Sequence, residues 1–492
     1  MTMRSLRYGL AAVALTSVTC SSGGKLIDRH DGGGVDAGNR LVRTISTSIN
    51  RNVDILFMID NSSSMRLSQT NLRANFPAFM TRLMDPPGLP NIHIGVISSD
   101  MGAGDGSIQG CSARTAEGAG GDNGIFHYTG NIIPPASTSC TTGLYAGQTF
   151  ISNVGGVANY TGELADVFSC IAALGETGCG FEHQFASILR ALGADGAAAP
   201  AENQGFLRPE AALAVIMLTN EDDCSETQGS RLFETNSSLN VSSEFGVPSN
   251  FRCNEFGHLC DGAHPRRLAP GNDVNATVTY GSCVSNDTEG YLLSTADVAA
   301  RLKALKADPS QIAVVSIQGS PTPYTVHWKN PSTTDTSCGA TSCPWPEITH
   351  TCVAQDGSFA DPGVRTAQLA NAFGANGLTL SICDNSLAPA FDTVASLVNG
   401  MTGPPCLGGY PAENPLNGTP DCTVTESYAK SNGTVGEVMV RTCSETGGVG
   451  PCWQLGAMRQ GCVGPTLMFT PDPAITGETN VKFDCTPLTL AN

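Results

Sequence analysis

The chain has 492 residues, too many for one compact core, and this length predicts two or three structural units. Charged residues make up only 14 % of the chain, and the formal net charge is −18. Because an acidic surface repels phosphate groups, this charge argues against nucleic acid and anionic lipid as partners. Such a charge most commonly indicates a solvated acidic surface, and it is also compatible with the binding of divalent cations.

The N-terminus has the pattern of an export signal. Arg4 and Arg7 are followed by a mostly apolar run over residues 10–18 and then by Cys20. A run of about ten residues is too short to cross a bilayer, which takes roughly twenty residues as a helix. Residues 1–20 resemble a bacterial lipoprotein signal, and the resemblance implies that Cys20 is lipidated. The expected location is therefore the outer membrane or cell surface through a lipid anchor; the alternative is a secreted or periplasmic protein.

The cysteine count independently indicates export. The chain has 19 cysteines, and removing Cys20 leaves an even number, enough for nine disulfides without a leftover thiol. The spacing leaves the pairing of these cysteines open. A metal cluster is the weaker explanation, because no two cysteines have Cys-x-x-Cys spacing and no histidine pair has His-Glu-x-x-His spacing.

Three regions follow the signal. Residues 21–45 are Gly-rich and polar without periodicity, which predicts a flexible tether. Residues 46–399 form the main domain, with long irregular insertions at about 100–160, 224–290 and 320–360. Residues 400–492 combine six cysteines with short strand-like runs, which predicts a small β-rich module stapled by disulfides.

Buried-strand and helical patterns alternate through the main domain. The predicted strands cover residues 53–60, 93–98, 211–219, 311–317 and 378–383. Helical spacing of apolar residues predicts helices near 72–83, where Pro77 should bend or split the helix, and at 163–174, 181–192, 294–305, 364–373 and 390–398. This alternation predicts an α/β fold with a doubly wound, mostly parallel sheet and helices on both faces. A sixth, antiparallel edge strand could lie within the first insertion.

A short polar motif stands at the end of the first predicted strand. The strand ends in Asp60, and Ser62 and Ser64 follow at alternate positions before a helical segment. In an open α/β sheet, the carboxyl ends of the strands face the ligand crevice. One carboxylate and two hydroxyls on a tight loop there are hard oxygen ligands suited to Mg²⁺. The alternative is a Ser-rich turn whose hydroxyls cap a helix N-terminus.

The buried strand, the Asp-x-Ser-x-Ser motif and the following helix resemble the start of a von Willebrand factor type A domain. The resemblance implies a metal-ion-dependent adhesion site completed by two further loops. The family places a Thr in one of them, for which Thr177 is the candidate here. It places an Asp after a later buried strand, where this chain has Asn220. Either Asn220 keeps a hydrogen bond there or Asp222 takes part instead, and in both cases the ion affinity should be lower than with the full pattern.

The resemblance implies a cell-envelope lipoprotein that binds a protein or surface partner through a divalent metal. Mg²⁺ is the expected cofactor, with Mn²⁺ or Ca²⁺ possible, and a carboxylate of the partner would occupy an open coordination position. The alternative is a structural envelope protein with a degenerate site that binds no metal. An enzyme is not expected, because no nucleophile elbow, phosphate loop or dinucleotide fingerprint is present.

Overall fold

The computed structural model of the chain describes residues 34–35, 40–46, 51–84, 88–108, 110–114, 120–129, 143–234, 241, 243–246, 249–329, 344–402, 404–415, 418–429, 434–458, 464–472 and 479–488. Cys20 and most of the predicted tether therefore lie outside the described residues.

The described strands are β1 (Gly34–Val35), β2 (Leu41–Ser46), β3 (Asn52–Ile59), β4 (Asn91–Ser98), β5 (Ile151–Val154), β6 (Val157–Ala158), β7 (Ala212–Leu218), β8 (His258–Cys260), β9 (Thr277–Tyr280), β10 (Cys283–Ser285), β11 (Ile312–Gln318), β12 (Tyr324–Lys329), β13 (Trp345–Ile348), β14 (Cys352–Val353), β15 (Phe359–Ala360), β16 (Gly377–Ser381), β17 (Cys422–Ala429), β18 (Val435–Met439), β19 (Arg441–Thr442), β20 (Cys452–Met458), β21 (Pro465–Thr470) and β22 (Asn480–Cys485). The described α-helices are α1 (Arg66–Leu83), α2 (Leu164–Ile171), α3 (Gln184–Ala191), α4 (Phe251–Gly257), α5 (Thr295–Lys303), α6 (Val364–Asn371), α7 (Ala388–Thr402) and α8 (Cys443–Thr446).

A seven-stranded sheet in the order β16-β11-β7-β3-β4-β5-β6 forms the centre of the main domain. Its first five strands run parallel, and β5 pairs antiparallel with β4. The prediction of a mixed α/β fold with a mostly parallel sheet is confirmed, and the antiparallel edge strand lies within the first insertion. Every residue of β7 and β11 is buried, which explains why these strands are continuous apolar runs.

The central strand β3 buries both of its faces. Its alternate residues Ile55 and Phe57 pack in a core beneath α1, α2 and α7, where Phe76 stacks on Phe168 with ring centroids 3.5 Å apart. Leu56 belongs to the opposite core, beneath α3, α5 and α6. Because successive strand residues point to opposite faces, helices cover the sheet on both sides and hold β3 in the middle.

Helix α1 passes through Pro77 as one continuous helix, so the expected split does not occur. A proline at this position leaves the carbonyl of the residue four positions earlier without its helical donor. That carbonyl belongs to Arg73, and the Ser169 hydroxyl donates to it at 3.4 Å from α2. A neighbouring helix thus replaces the missing hydrogen bond.

The insertions contain ordered structure that the sequence did not indicate. Within the second insertion, α4 and the strands β8 and β10 follow one another, and Cys260–Cys283 links those two strands. Every cysteine in the described residues is disulfide-bonded, Cys170 and Cys406 included, as an oxidising compartment predicts. The disulfides between described cysteines are Cys111–Cys179, Cys224–Cys253, Cys260–Cys283, Cys352–Cys383, Cys422–Cys485 and Cys443–Cys452.

The C-terminal region is β-rich, but residues from the predicted tether complete it. Its largest sheet has the order β1-β2-β22-β17-β18, so β2 pairs along its full length with β22. Leu41 and Ile45 of β2 are buried in the core of this region. The segment 41–45 is therefore a strand and not part of a tether. No helix among the described residues is long and apolar enough to span a membrane.

Candidate metal centre

The Asp-x-Ser-x-Ser loop lies at the carboxyl ends of the two central strands. Asp60 directly follows β3, and its backbone N–H donates to the Leu218 carbonyl at the end of β7 at 2.9 Å. Thr219 and Asn220 continue from β7 on the same edge. The Thr219 hydroxyl donates to Asp60 Oδ2 at 3.0 Å, so the parallel pairing of β3 and β7 brings the two loops together.

Four of the predicted site residues come together in this structure. Asp60 Oδ1 accepts from the Ser62 backbone N–H at 2.8 Å, which folds the loop back on itself. The Ser62 and Ser64 hydroxyl oxygens lie 3.0 Å apart. The Ser64 hydroxyl donates to Asn220 Oδ1 at 3.1 Å. These contacts link Asp60, Ser62, Ser64 and Asn220 into one cluster of oxygen atoms.

The spacing of these oxygens fits a small octahedral cation. With Mg–O distances of about 2.1 Å, adjacent ligand oxygens of an octahedron are about 3.0 Å apart. The Ser62–Ser64 separation is 3.0 Å and the Ser64–Asn220 separation is 3.1 Å. The Asn220 amide nitrogen is buried without a hydrogen-bond partner, so the side chain is held only through its oxygen. These residues therefore fit a hard divalent ion.

The helix-capping explanation of the serines is wrong. Ser62 precedes the short 3₁₀ turn Ser63–Met65, but its side chain makes no capping hydrogen bond there. Helix α1 begins after Met65 and likewise has no side-chain cap. The two hydroxyls contact each other and Asn220 instead of helix N–H groups.

The loop that carries Thr177 lies beside the Asp60 loop. The Gly178 N–H donates to the Asn61 carbonyl at 3.0 Å. The buried Gln69 amide donates both to the Asp60 carbonyl at 3.1 Å and to the Gly175 carbonyl at 2.9 Å, which joins the two loops. Thr177 itself is exposed, and the structure gives its side chain no hydrogen bond to the motif. The loop is in place, and a ligand role of Thr177 stays a prediction.

Asp222 has a different role from the one expected. Its carboxylate accepts hydrogen bonds from the backbone N–H groups of Val364, Arg365 and Thr366 at the start of α6, at 2.8, 2.8 and 3.1 Å. His258 Nε2 lies 2.7 Å from Asp222 Oδ2. Burial opposes ionisation, but the His258 and Arg365 contacts bring the pKa of Asp222 below its usual value. Both oxygens are thus occupied by the helix and the histidine, away from the motif.

The sequence analysis missed Glu182, which lies against Asp60. Both side chains are buried, and the two carboxyl groups lie within reach of each other. The Ser99 hydroxyl donates to Glu182 Oε2, whereas Glu182 Oε1 has no donor. Burial raises the pKa of Asp60, and burial together with the nearby Asp60 and Glu221 raises the pKa of Glu182 well above its usual value. The one available signal was an acid between Phe181 and His183, directly before α3, which is also ordinary near a helix start.

Two further carboxylates lie next to this pair. Glu221 and Asp361 line a small cleft that Glu182 also lines. The Asn250 amide donates to Glu221, and His350 contacts Asp361 at 2.6 Å. Within the described part of the chain, however, no three His, Cys, Asp or Glu side chains converge closely enough to hold a metal ion together. A metal centre here therefore depends on hydroxyl and amide oxygens as well as carboxylates.

Comparisons with known proteins leave the family open. No family model matches the chain, and no curated protein matches it significantly. Among solved structures, the chain is similar to the pilus adhesin SpaC from Lactobacillus rhamnosus GG, with 12% identity and a TM-score of 0.28, over 90% of this chain and 40% of that one. It is similar to a von Willebrand factor type A protein from Catenulispora acidiphila, with 9% identity and a TM-score of 0.26, over 90% of this chain and 60% of that one. The adhesive tip pilin GBS104 from Group B Streptococcus agalactiae matches with 9% identity and a TM-score of 0.28, over 92% of this chain and 83% of that one.

TM-scores of 0.26 to 0.28 are too low to establish a shared fold. The chain spans less than two thirds of the first two of these structures, 40% and 60% of their lengths. The mixed α/β architecture stands on the strand pairing described above, and the function has to be argued from the site.

Proposed function

We propose that this chain is a cell-surface adhesion protein with a von Willebrand type A-like domain that binds a protein partner through a divalent cation, Mg²⁺ by preference. The supporting observation is the convergence of Asp60, Ser62, Ser64 and Asn220, whose oxygens come from two loops at one edge of the sheet. Thr177 is the candidate for a third loop.

Each residue has a distinct part in this proposal. Asp60 supplies negative charge, and the Ser62 N–H and the Thr219 hydroxyl fix its orientation at 2.8 and 3.0 Å. The two serine hydroxyls and the Asn220 carbonyl oxygen supply neutral ligands on one side. A bound Mg²⁺ would offer a Lewis-acidic coordination position to a carboxylate of the partner. Asp60, Ser62 and Asn220 are buried, and the partner would approach from the side of the half-buried Ser64 and the exposed Thr177.

The proposal includes no catalysis. The described residues do contain a hydrogen-bonded series in which His258 links the Tyr324 hydroxyl at 2.9 Å to Asp222 at 2.7 Å. Tyr324 is fully buried, and burial raises its pKa well above the usual value. A hydroxyl without access to solvent cannot reach a substrate, so this series stabilises the fold beneath α6.

The proposed location at the cell surface, through a lipid on Cys20, rests on the N-terminal sequence alone.

Magnesium-dependent stability tests the metal site. Because a ligand that binds only the folded state stabilises it by mass action, a Mg²⁺ concentration of about 100 times Kd adds about 2.7 kcal/mol. The wild type should show a rising melting temperature with Mg²⁺, reversed by EDTA. Asp60→Asn preserves the side-chain volume and should abolish the rise.

Ser63→Ala is the matched control, because Ser63 is exposed in the same loop but outside the Asp-x-Ser-x-Ser positions. This variant should keep the wild-type response. Adhesion to an array of immobilised proteins, with and without EDTA, then tests the partner. Binding by Asp60→Asn that is undiminished and insensitive to EDTA would refute the adhesion role, and a wild type without any Mg²⁺ response would favour the structural alternative.

A further inference from the structure

Among the described residues, no Lys, Arg or His side chain pairs with the Asp60 and Glu182 carboxyl groups where they meet. Asp60 is 0 % exposed and Glu182 is 1 % exposed, and their carboxyl groups are within hydrogen-bonding reach of each other. In the described part of the chain, neither of them forms an ion pair with a Lys, Arg or His side chain. Two buried carboxylates in contact repel each other unless a proton or a cation lies between them.

The unpaired carboxylate oxygen of Glu182 also favours a cation between the two acids. Glu182 Oε2 accepts a hydrogen bond from Ser99, but Oε1 is buried and has no donor. An unpaired oxygen of a buried acid costs free energy and needs a specific reason. A cation beside Asp60 would give this oxygen a partner.

The backbone around Glu182 is fixed from two sides. The Cys224 N–H donates to the Glu182 carbonyl at 2.7 Å, and the His183 N–H donates to the Ser99 carbonyl at 3.0 Å. The Gln184 amide donates to the Thr219 hydroxyl at 3.0 Å, which also contacts Asp60. The fold therefore fixes the backbone that carries Glu182 next to the Asp60 loop, and the Ser99 hydroxyl holds the side chain through Oε2.

Charge counting gives Glu182 a role. Among Asp60, Ser62, Ser64 and Asn220 only Asp60 has a carboxylate, so these four residues supply one negative charge against the two positive charges of the ion. We infer that Glu182 supplies the second carboxylate of the cation site and thereby compensates for Asn220. This inference rests on the proposed function, because it assigns a further residue to the same site.

The test measures Mn²⁺ binding by the full-length chain, followed by electron paramagnetic resonance and titration calorimetry. Glu182→Gln should weaken Mn²⁺ binding by about ten- to a hundredfold. Asn220→Asp in the same chain should return the affinity to within about threefold of the wild type, because the second carboxylate is restored at the other loop.

Glu221→Gln is the matched control. Glu221 lies close enough to raise the pKa of Glu182, but its side-chain hydrogen bond goes to Asn250 and not to Asp60. This substitution should change the Mn²⁺ affinity by less than about threefold. Circular dichroism and melting in EDTA check folding, and Glu182→Gln should be at least as stable as the wild type there, because it removes one of two repelling carboxylates.

The outcomes separate this inference from the proposed function. Wild-type Mn²⁺ affinity in Glu182→Gln would overturn the role of Glu182 while leaving the Asp60 site intact, and so would an equal loss in Glu182→Gln and Glu221→Gln. Failure of Asn220→Asp to rescue would show that Glu182 does not act as a second carboxylate. A wild-type chain that binds no Mn²⁺ would overturn both the inference and the site.

Discussion

Local sequence identifies the candidate ligands that share a loop, and it misses a candidate that comes from elsewhere in the chain. Asp60, Ser62 and Ser64 are neighbours in the chain, so a buried strand followed by a polar triplet is enough to place them. Glu182 lies next to Asp60 because the start of α3 contacts the ends of β4 and β7, which flank β3. The chain around Glu182 has no motif.

Asp222 shows why the acidic run after β7 was ambiguous. The sequence has acids at positions 221, 222 and 223, and nothing local says where each side chain points. The structure turns Asp222 to the N-terminus of α6, and Asp223 accepts from the Phe185 N–H at 2.9 Å and contacts Arg365 at 3.1 Å. The partners that decide these directions lie far away in sequence.

A histidine at the opposite end of the sheet gives a prediction for pH dependence. His93 is buried in β4, and burial lowers its pKa to about 4, below the usual value of 6.5. Between these values the unfolded chain binds more protons than the folded chain, so stability falls as the pH falls from 6.5 to 4. The loss at His93 should be about 3 kcal/mol, from about 1.36 kcal/mol per pKa unit.

The comparison uses His93→Gln, with urea unfolding measured at pH 7 and pH 4.5. The variant should lose less stability than the wild type over this interval. Asp54 lies 3.7 Å away, and burial raises its pKa to about 6, so it titrates in the same range with the opposite sign. For that reason the measured quantity is the loss of unfolding free energy in the wild type minus the loss in His93→Gln. Equal losses in both would contradict a neutral, buried His93.

At the scale of elements, burial decides what can be predicted. The strands β3, β7 and β11 are apolar runs because both of their faces are covered, and their positions were predicted to within one or two residues. The insertions were read as irregular because α4 and the strands after it are short and depend on disulfides such as Cys224–Cys253. Short elements of this kind leave little periodicity in a sequence.

The junction between the β7 loop and α6 yields a stability prediction. Asp222 satisfies three N–H groups of α6 and contacts His258, all in a buried setting. Asp222→Ala leaves three buried N–H groups at the start of α6 without an acceptor, at about 1–3 kcal/mol each, so it should destabilise the main domain by about 3–5 kcal/mol in denaturant unfolding.

The same variant separates a structural role from a ligand role. Asp222→Ala should keep the Mg²⁺-induced rise in melting temperature, although it melts lower. Asp297→Ala is the control, because Asp297 forms an exposed pair with Arg301 at 2.8 Å and should cost less than about 1 kcal/mol. Complete loss of the Mg²⁺ response in a folded Asp222→Ala chain would instead indicate that Asp222 is a ligand of the proposed cation.

At the scale of the whole molecule, the first described strands and the last one belong to one sheet. Strand β2 lies between β1 and β22, and Arg40 adds hydrogen bonds to the Asp484 carbonyl at 2.8 Å and to the Thr486 hydroxyl at 3.2 Å. The sequence could not indicate this pairing, because a single short strand after a Gly-rich run looks like the end of a tether. The chain therefore begins its described part in this sheet, forms the main domain and then returns to the same sheet.

Because β2 pairs with β22, a destabilising substitution in β2 should also destabilise the C-terminal strands. Ile45 is buried against Val481 and Phe483, so Ile45→Ala should destabilise the five-stranded sheet by about 2–5 kcal/mol. Hydrogen exchange should accelerate in β17 and β22, while β3 and β7 keep their protection. Thr44→Ala, on the exposed side of β2, should change little. Unchanged exchange in β22 of the Ile45 variant would contradict the pairing.

The central claim is that one hard cation binds where the Asp60 loop meets the β7 loop. A crystal structure of the full chain soaked in Mn²⁺, with anomalous diffraction recorded at the manganese edge, tests it most directly. The account predicts one anomalous peak about 2 Å from oxygens of Asp60, Ser62 and Ser64. A crystal saturated with Mn²⁺ that shows no peak there, with the three side chains as ordered as their neighbours, would contradict it.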